Sequence, residues 1–330
     1  MKFFVDVVDV FFQGFDADEQ SVGYFGVSQA LGEHGQHVYL AGGDVVVGAD
    51  LPIALEPGHD FTGNVAAHGR SAFVNFPNRH EQQFGIAFFE DKACRLFVDN
   101  QSAVESPIAE LIRNYPIKSR NVIAHIRKAT QGKINLENSH PFSRELWGRQ
   151  WIFAHNGDLH DFDPVLSGRF TPVGNTDSER AFCYLLDQLV NKFGYTEPSL
   201  DQVFDLLTDV SPRIAEHGTF NFCLSNGQAL FSYAITKLHW LVREYPFKPA
   251  QLIDIDVEVD FSQVTTAEDR VAVITTEPLT QNEAWTAFAP GEMILFQYGK
   301  AIRHQMTHVE RLIREAKDPS LKRITKADQY

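Results

Sequence analysis

Two apolar runs constrain the fold most: NVIAHIR at 121–127 and WIFAHNG at 151–157. Both are rich in β-branched or aromatic residues and short, which marks buried strands. Each ends in a cluster of polar groups. Around them, FGIAFFE (84–90) and RLFV (95–98) read as strands on either side of Asp91-Lys92. SPIAELIRN (106–114) reads as a short helix with Ser106 as N-cap and Pro107 at the first helical position.

Thr176 to Leu189 is the best-marked helix. Thr176 and Glu179 are spaced as a capping box, and Phe182, Leu185, Leu186 and Leu189 make one apolar face. A second helix starts near Ser199 with Gln202 placed to close its cap, and Ser211-Pro212 should break or kink it. Asn226-Gly227 between Phe220–Ser225 and Gln228–Ala234 is a hairpin signal. Asp254–Phe261, Arg270–Thr276 and Glu292–Tyr298 add strands, Val45–Val47 could form another, and a helix near Val309–Ala316 follows. Hairpins and antiparallel runs outnumber βαβ units, so the class is α+β, with stacked sheets and flanking helices.

Composition narrows the functional classes. The formal charge is −14 and the pI about 5.3, a poor match to phosphate backbones, so nucleic acid is not an expected partner. No run of about 18 apolar residues occurs, so no membrane span is expected. Asp6 and Asp9 interrupt the apolar start, which does not read as a signal peptide. Cys94, Cys183 and Cys223 are widely spaced and odd in number. They suggest neither a disulfide framework nor a metal knuckle, and fit a reducing cytoplasm.

The chain changes texture near residue 84. Residues 1–83 carry only Lys2, Arg70 and Arg79 as basic residues, and no Cys or Trp. No chemistry-bearing motif occurs there. Four segments stand out after it: AHIRKATQG (124–132), NSHPF (138–142), FAHNGDL (153–159) and GNTDSER (174–180). Arg127 could clamp a carboxylate with two parallel N–H bonds, or form a structural ion pair. Asn156 and Gly157 could aim a side-chain amide and a backbone N–H at an oxyanion, or make an ordinary turn. Asp177 in the first helical turn could pair with a substrate ammonium, or only answer the helix dipole. His125, His140 and His155 invite a metal-hydrolase reading, but no HExxH or Asp-rich motif accompanies them, and satisfied strand histidines are the plainer reading. Cys183 and Cys223 read as core thiols.

Together the four segments resemble the class II glutamine amidotransferases of the N-terminal-nucleophile superfamily, in their short stand-alone bacterial form, over about residues 84–330. Asp260-Phe261 and Thr276-Glu277-Pro278-Leu279 also look like that form. The resemblance implies a four-layer αββα sandwich of two antiparallel sheets. It implies hydrolysis of the glutamine side-chain amide, releasing ammonia, with no cofactor. Arg127 would hold the α-carboxylate of glutamine and Asp177 its α-ammonium. Thr130 and the Lys128 backbone would line the pocket with His140 nearby, and Asn156 and Gly157 would form the oxyanion hole. The substrate would be glutamine or a γ-glutamyl compound, and the ammonia would pass to a separate acceptor protein.

The departure is at the front. Members of the family begin Met-Cys, and the freed cysteine attacks the amide with its own α-amine as base. Here residue 2 is Lys and no cysteine precedes Cys94. Cleavage before Cys94 would delete the FGIAFFE strand. Where the family has Asp-Gly-Trp-Gly this chain has Gln82-Gln83-Phe84-Gly85. A break this sudden is what a shifted reading frame or a wrong start produces. Residues 1–83 are therefore read as an atypical segment and 84–330 as the amidotransferase domain. The chain is expected to be inactive, and the alternative reading is a non-catalytic binder of glutamine or a γ-glutamyl compound.

Overall fold

The computed structural model describes residues 24–29, 36–41, 62–68, 82–101, 106–114, 117, 119–128, 135–251, 253, 258–259, 267 and 269–317. The first elements are a hairpin of β1 (Tyr24–Gln29) and β2 (Gln36–Ala41), followed by β3 (Thr62–His68). The strands β4 (Gln82–Glu90) and β5 (Ala93–Asp99) form a second hairpin, turning at Asp91, whose φ is 55°. Helix α1 (Pro107–Asn114) starts as its sequence predicts: Ser106 Oγ accepts from the N–H groups of Ile108 and Ala109 at 3.1 and 3.3 Å.

Then come β6 (Asn121–Lys128), β7 (Phe142–Leu146), β8 (Arg149–Leu159), α2 (Asp177–Phe193) and α3 (Leu200–Ala215). They are followed by β9 (Gly218–Ser225), β10 (Leu230–Ala234) and β11 (His239–Glu244). The remaining elements are β12 (Ala250–Gln251), β13 (Glu258–Val259), β14 (Arg270–Thr275), β15 (Thr286–Ala287), β16 (Glu292–Gln297), β17 (Lys300–Met306) and α4 (Glu310–Lys317). Of the strand expected over Asp254–Phe261, only β13 is described. The Val45–Val47 run and Asp260-Phe261 lie outside the described residues.

Two large sheets face each other. One has six strands in the order β17-β16-β10-β9-β8-β7, all antiparallel. The other has seven, in the order β15-β11-β14-β3-β6-β4-β5. Its pairs are antiparallel except around the central β3, which runs parallel to both β14 and β6. Residues 62–68, which carry no motif, thus lie in the middle of this sheet. Across the boundary read at residue 83, β4 continues unbroken from Gln82, pairing Gln82 with Lys128 and Gln83 with Arg127.

The two-residue period of the strands sorts the core into layers. Ile152 and Ala154 of β8, Cys223 of β9, and Ile294 and Phe296 of β16 point between the sheets. They meet Ile86, Val122, Ala124, Ala272 and Ile274 there. Their neighbours Trp151, Phe153, Phe220, Phe222, Leu224, Met293 and Leu295 point the other way, onto Phe182, Leu186, Phe204 and Leu207 of α2 and α3. On the other side, α1 flanks the seven-stranded sheet beside β5 and buries Ala109 and Ile112. The expected αββα sandwich follows from this layering.

Helix α3 corrects one expectation. It carries the complete capping box of Ser199 and Gln202, but it runs through Pro212 to Ala215. Proline removes one N–H from the ladder. Here the loss falls in the last turn, where Glu216 N still donates to Pro212 O at 3.1 Å. Val210, Ile214 and Ala215 are buried against the core, which holds that turn in place.

One half-buried ion pair fixes the loop beside β11. Arg243 donates to both carboxylate oxygens of Glu283, at 2.7 and 2.6 Å, and Thr280 Oγ1 donates to the same carboxylate at 2.6 Å. Burial alone would push the Glu283 carboxyl up, but the Arg243 charge and these hydrogen bonds outweigh it and hold it below the usual carboxylate range. A carboxyl depressed in the folded state contributes stability that is complete above its unfolded pKa and is lost as pH falls through the folded value. The expected outcome is that Glu283→Gln lowers the unfolding midpoint at pH 7 and flattens its decline on the acid side. A pH profile parallel to that of the parent chain would contradict this.

Candidate functional site

The polar ends of β6, β8 and β14 carry the segments singled out in the sequence. Strand β8 delivers Asn156 and Gly157, which lie opposite Asn221 and Phe220 of β9. The Asn156 amide donates from Nδ2 to Thr276 Oγ1 at 3.2 Å, which ties the end of β8 to the residue just after β14 in the facing sheet. Gly157 is exposed, yet a Cβ there would sit 1.9 Å from Thr219 O and 2.6 Å from His155 Nε2. Only glycine lets these strands approach so closely.

Asp177 is the first residue of α2, and its Oδ2 accepts from the N–H of Leu159 at 2.8 Å. The carboxylate is thereby tied to β8 two residues beyond Gly157. Asn156, Gly157 and Asp177 are brought together. Arg127 and Lys128 are the last two residues of β6. Thr130 lies outside the described residues. His140 is 4% exposed, its ring 4.3 Å from that of His125 and 4.5 Å from that of Phe142, centroid to centroid. Gly85 underlies it, since a Cβ at Gly85 would be 2.2 Å from His140 O.

Both ring nitrogens of His155 are engaged, Nδ1 with Ser178 Oγ at 2.8 Å and Nε2 with Thr219 O at 3.0 Å. Among the described residues, no group of three or more His, Cys, Asp or Glu side chains is placed to hold a metal ion. Burial lowers the His155 pKa, opposed by the charges of Asp177 and Asp158 and by the bond to Thr219, and so favours the neutral ring.

Several supporting residues escaped the sequence reading. Asn221 is 2% exposed and uses its whole amide. It donates to Asn156 O at 3.1 Å and Thr236 Oγ1 at 2.7 Å, and accepts from the N–H groups of Ile235 and Thr236 at 2.9 and 3.1 Å. An asparagine inside the apolar run TFNFCL was the available signal. Glu179 also differs from expectation. The Thr176 hydroxyl accepts from Glu179 N at 3.2 Å, but the Glu179 carboxylate does not close a capping box. It accepts instead from the N–H groups of Val173 and Gly174, at 3.0 and 2.7 Å, and pairs with Arg144 from β7. The loop leading into Asp177 is thus pinned to the sheet.

None of the three cysteines is prepared as a nucleophile. Burial pushes the Cys94 and Cys223 thiols up to about 12 and that of Cys183 to about 11, whereas reactive thiols are shifted the other way. Cys94 stands on the edge strand β5, and Cys183 and Cys223 lie in the two cores.

The two facing sheets bring the Asn156 amide of β8 and the Asp177 carboxylate of α2 to one end of the sandwich, and the comparisons identify the family. A family model described as class-II glutamine amidotransferases matches residues 54–320, and the chain belongs to that family. The match begins ahead of the change in texture at residue 84 and includes β3. The chain is 48% identical over 223 residues to YafJ of Escherichia coli (strain K12), provisionally named a glutamine amidotransferase, covering 68% of this chain and 88% of that one. A provisionally named glutamine amidotransferase of Haemophilus influenzae is 49% identical over 223 residues, covering 68% of this chain and 76% of its own. The crystal structure of a predicted glutamine amidotransferase from Pseudomonas aeruginosa PA01 aligns with TM-score 0.59 at 36% identity, over 79% of this chain and 96% of that one.

The thiol environments yield a direct expectation. In the native protein near pH 7.5, all three cysteines should react with iodoacetamide more slowly than a free cysteine peptide of pKa about 8.5, and all should react readily on unfolding. One thiol reacting faster than the peptide in the native state would contradict this.

Proposed function

We propose that the site recognises glutamine, or a γ-glutamyl compound, by its charged ends and polarises the side-chain amide, while the polypeptide 1–330 does not hydrolyse it. The observation that carries this reading is the anchoring of Asn156 and Asp177 to one strand end, by Thr276 and by the Leu159 N–H. Asp177 takes the α-ammonium, and Arg127, two residues past His125 on β6, takes the α-carboxylate. A zwitterion entering a site that excludes water needs a partner for each charge. Lys128, Thr130 and His140 are assigned to substrate binding by the family resemblance. The Asn156 amide and the Gly157 N–H face the oxygen of the scissile amide, where negative charge would develop during attack.

The family's reaction takes its nucleophile from a cysteine thiol with a nearby base. In this chain Cys94, Cys183 and Cys223 have thiols held protonated by burial. Recognition persists and chemistry does not. The site needs no cofactor. Where a nucleophile is supplied, ammonia passes to a separate acceptor protein. The protein works in the cytoplasm, a reading supported by its three free thiols; among the described residues no helix is long and apolar enough to cross a membrane.

Calorimetry and an ammonia assay test this together. The expected outcome is saturable binding of L-glutamine with ammonia release at the no-enzyme rate, and loss of binding by about tenfold or more in Asp177→Ala, the scale of a charge-assisted contact. Ammonia release above background that disappears in Asn156→Ala would overturn the inactive reading. Absence of any glutamine binding would overturn the site itself.

A further inference from the structure

His155 is buried on β8 next to the two residues proposed to hold the oxyanion, with its ring stacked near Phe153 and tilted against Phe220. Its hydrogen bonds determine where one proton sits. Nε2 faces Thr219 O at 3.0 Å, and a carbonyl can only accept, so Nε2 carries the ring hydrogen. In the neutral ring Nδ1 is then bare. Its partner at 2.8 Å is Ser178 Oγ, which therefore donates.

Ser178 has one hydroxyl proton and two acceptors within reach. The second is Asp177 Oδ1 at 3.5 Å. Because the proton goes to His155, Asp177 Oδ1 keeps its lone pairs, while Oδ2 is taken by the Leu159 N–H at 2.8 Å. We infer that His155 is a positioning residue for the substrate ammonium: it draws the Ser178 proton away from Asp177 and so preserves Oδ1 as a full acceptor. This rests on the reading of Asp177 as the ammonium anchor. Burial of the imidazole supports the neutral tautomer, since desolvation disfavours the charged ring.

The chain of contacts predicts an unusual mutational pattern. In His155→Phe the ring and its packing remain, but Nδ1 is gone. The Ser178 hydroxyl then turns to Asp177 and competes with the ligand. Adding Ser178→Ala removes the competitor and restores the acceptor. A purely structural role for His155 has no reason to be repaired by a second truncation.

The experiment is calorimetry of the full chain with two ligands, L-glutamine and 4-carbamoylbutanoate, which has the same amide and carboxylate but no α-ammonium. His155→Phe should weaken glutamine about threefold to tenfold, the range of one hydrogen bond to a charged group, and leave 4-carbamoylbutanoate unchanged. The double variant His155→Phe/Ser178→Ala should regain the parental preference. A parent chain that shows no preference between the ligands would overturn the Asp177 reading and this inference with it. A preference kept in His155→Phe, or lost there and not regained in the double variant, would overturn this inference alone. Nitrogen-15 spectra of the parent chain test the same point without a variant: Nε2 should be protonated and Nδ1 should accept a hydrogen bond. A ring protonated on Nδ1 would overturn it.

Discussion

The close approach of β8 and β9 is the constraint on which the site depends. Gly157 stands against Thr219 O with no room for a side chain, and the two strands stay paired past it to Leu159 and Gly218. The same carbonyl accepts from His155. One residue before Gly157, Asn156 is held through its backbone by Asn221 and through its side chain by Thr276. Two residues after it, the Leu159 N–H reaches across to Asp177 Oδ2. The strand end is therefore fixed by β9, by the facing sheet and by helix α2 at once. Rigid placement of this kind is what recognition of a small zwitterion requires.

The helix side of the sandwich supplies the second half of that rigidity. Phe153 stacks on Phe182 with centroids 5.1 Å apart, locking α2 onto β8. The Arg144 and Glu179 pair then holds the loop before Asp177 to β7. A buried pair of this sort contributes less to stability than to placement, because desolvation offsets much of its attraction. Here it places the start of α2, and with it Asp177, relative to Gly157.

Much of this was legible in the sequence, for reasons that can be stated. NVIAHIR and WIFAHNG became β6 and β8 because buried strands need only local apolar character. The starts of α1 and α3 followed from Ser106 and Ser199, since a cap is a local interaction. Other elements were hidden. Strand β3 shows no alternation in TGNVAAH, and its place between β14 and β6 is decided by distant partners. Strand β17 was missed because most of its residues are exposed. The site was legible as four segments, but its supports were not. Ser178 meets His155 from 23 residues away and Thr219 meets it from 64. Glu179 looked like a local cap partner, yet it is drawn away by Arg144, 35 residues earlier in the chain.

We propose that one strand end of this class II glutamine amidotransferase holds glutamine in the orientation for amide attack. A crystal structure of the chain grown with L-glutamine tests it most directly. The account predicts the α-ammonium within hydrogen-bond distance of Asp177 Oδ1, the α-carboxylate on Arg127, and the side-chain amide oxygen on Asn156 Nδ2 and the Gly157 N–H. Glutamine bound elsewhere, or bound here with its amide turned away from Asn156, would contradict it.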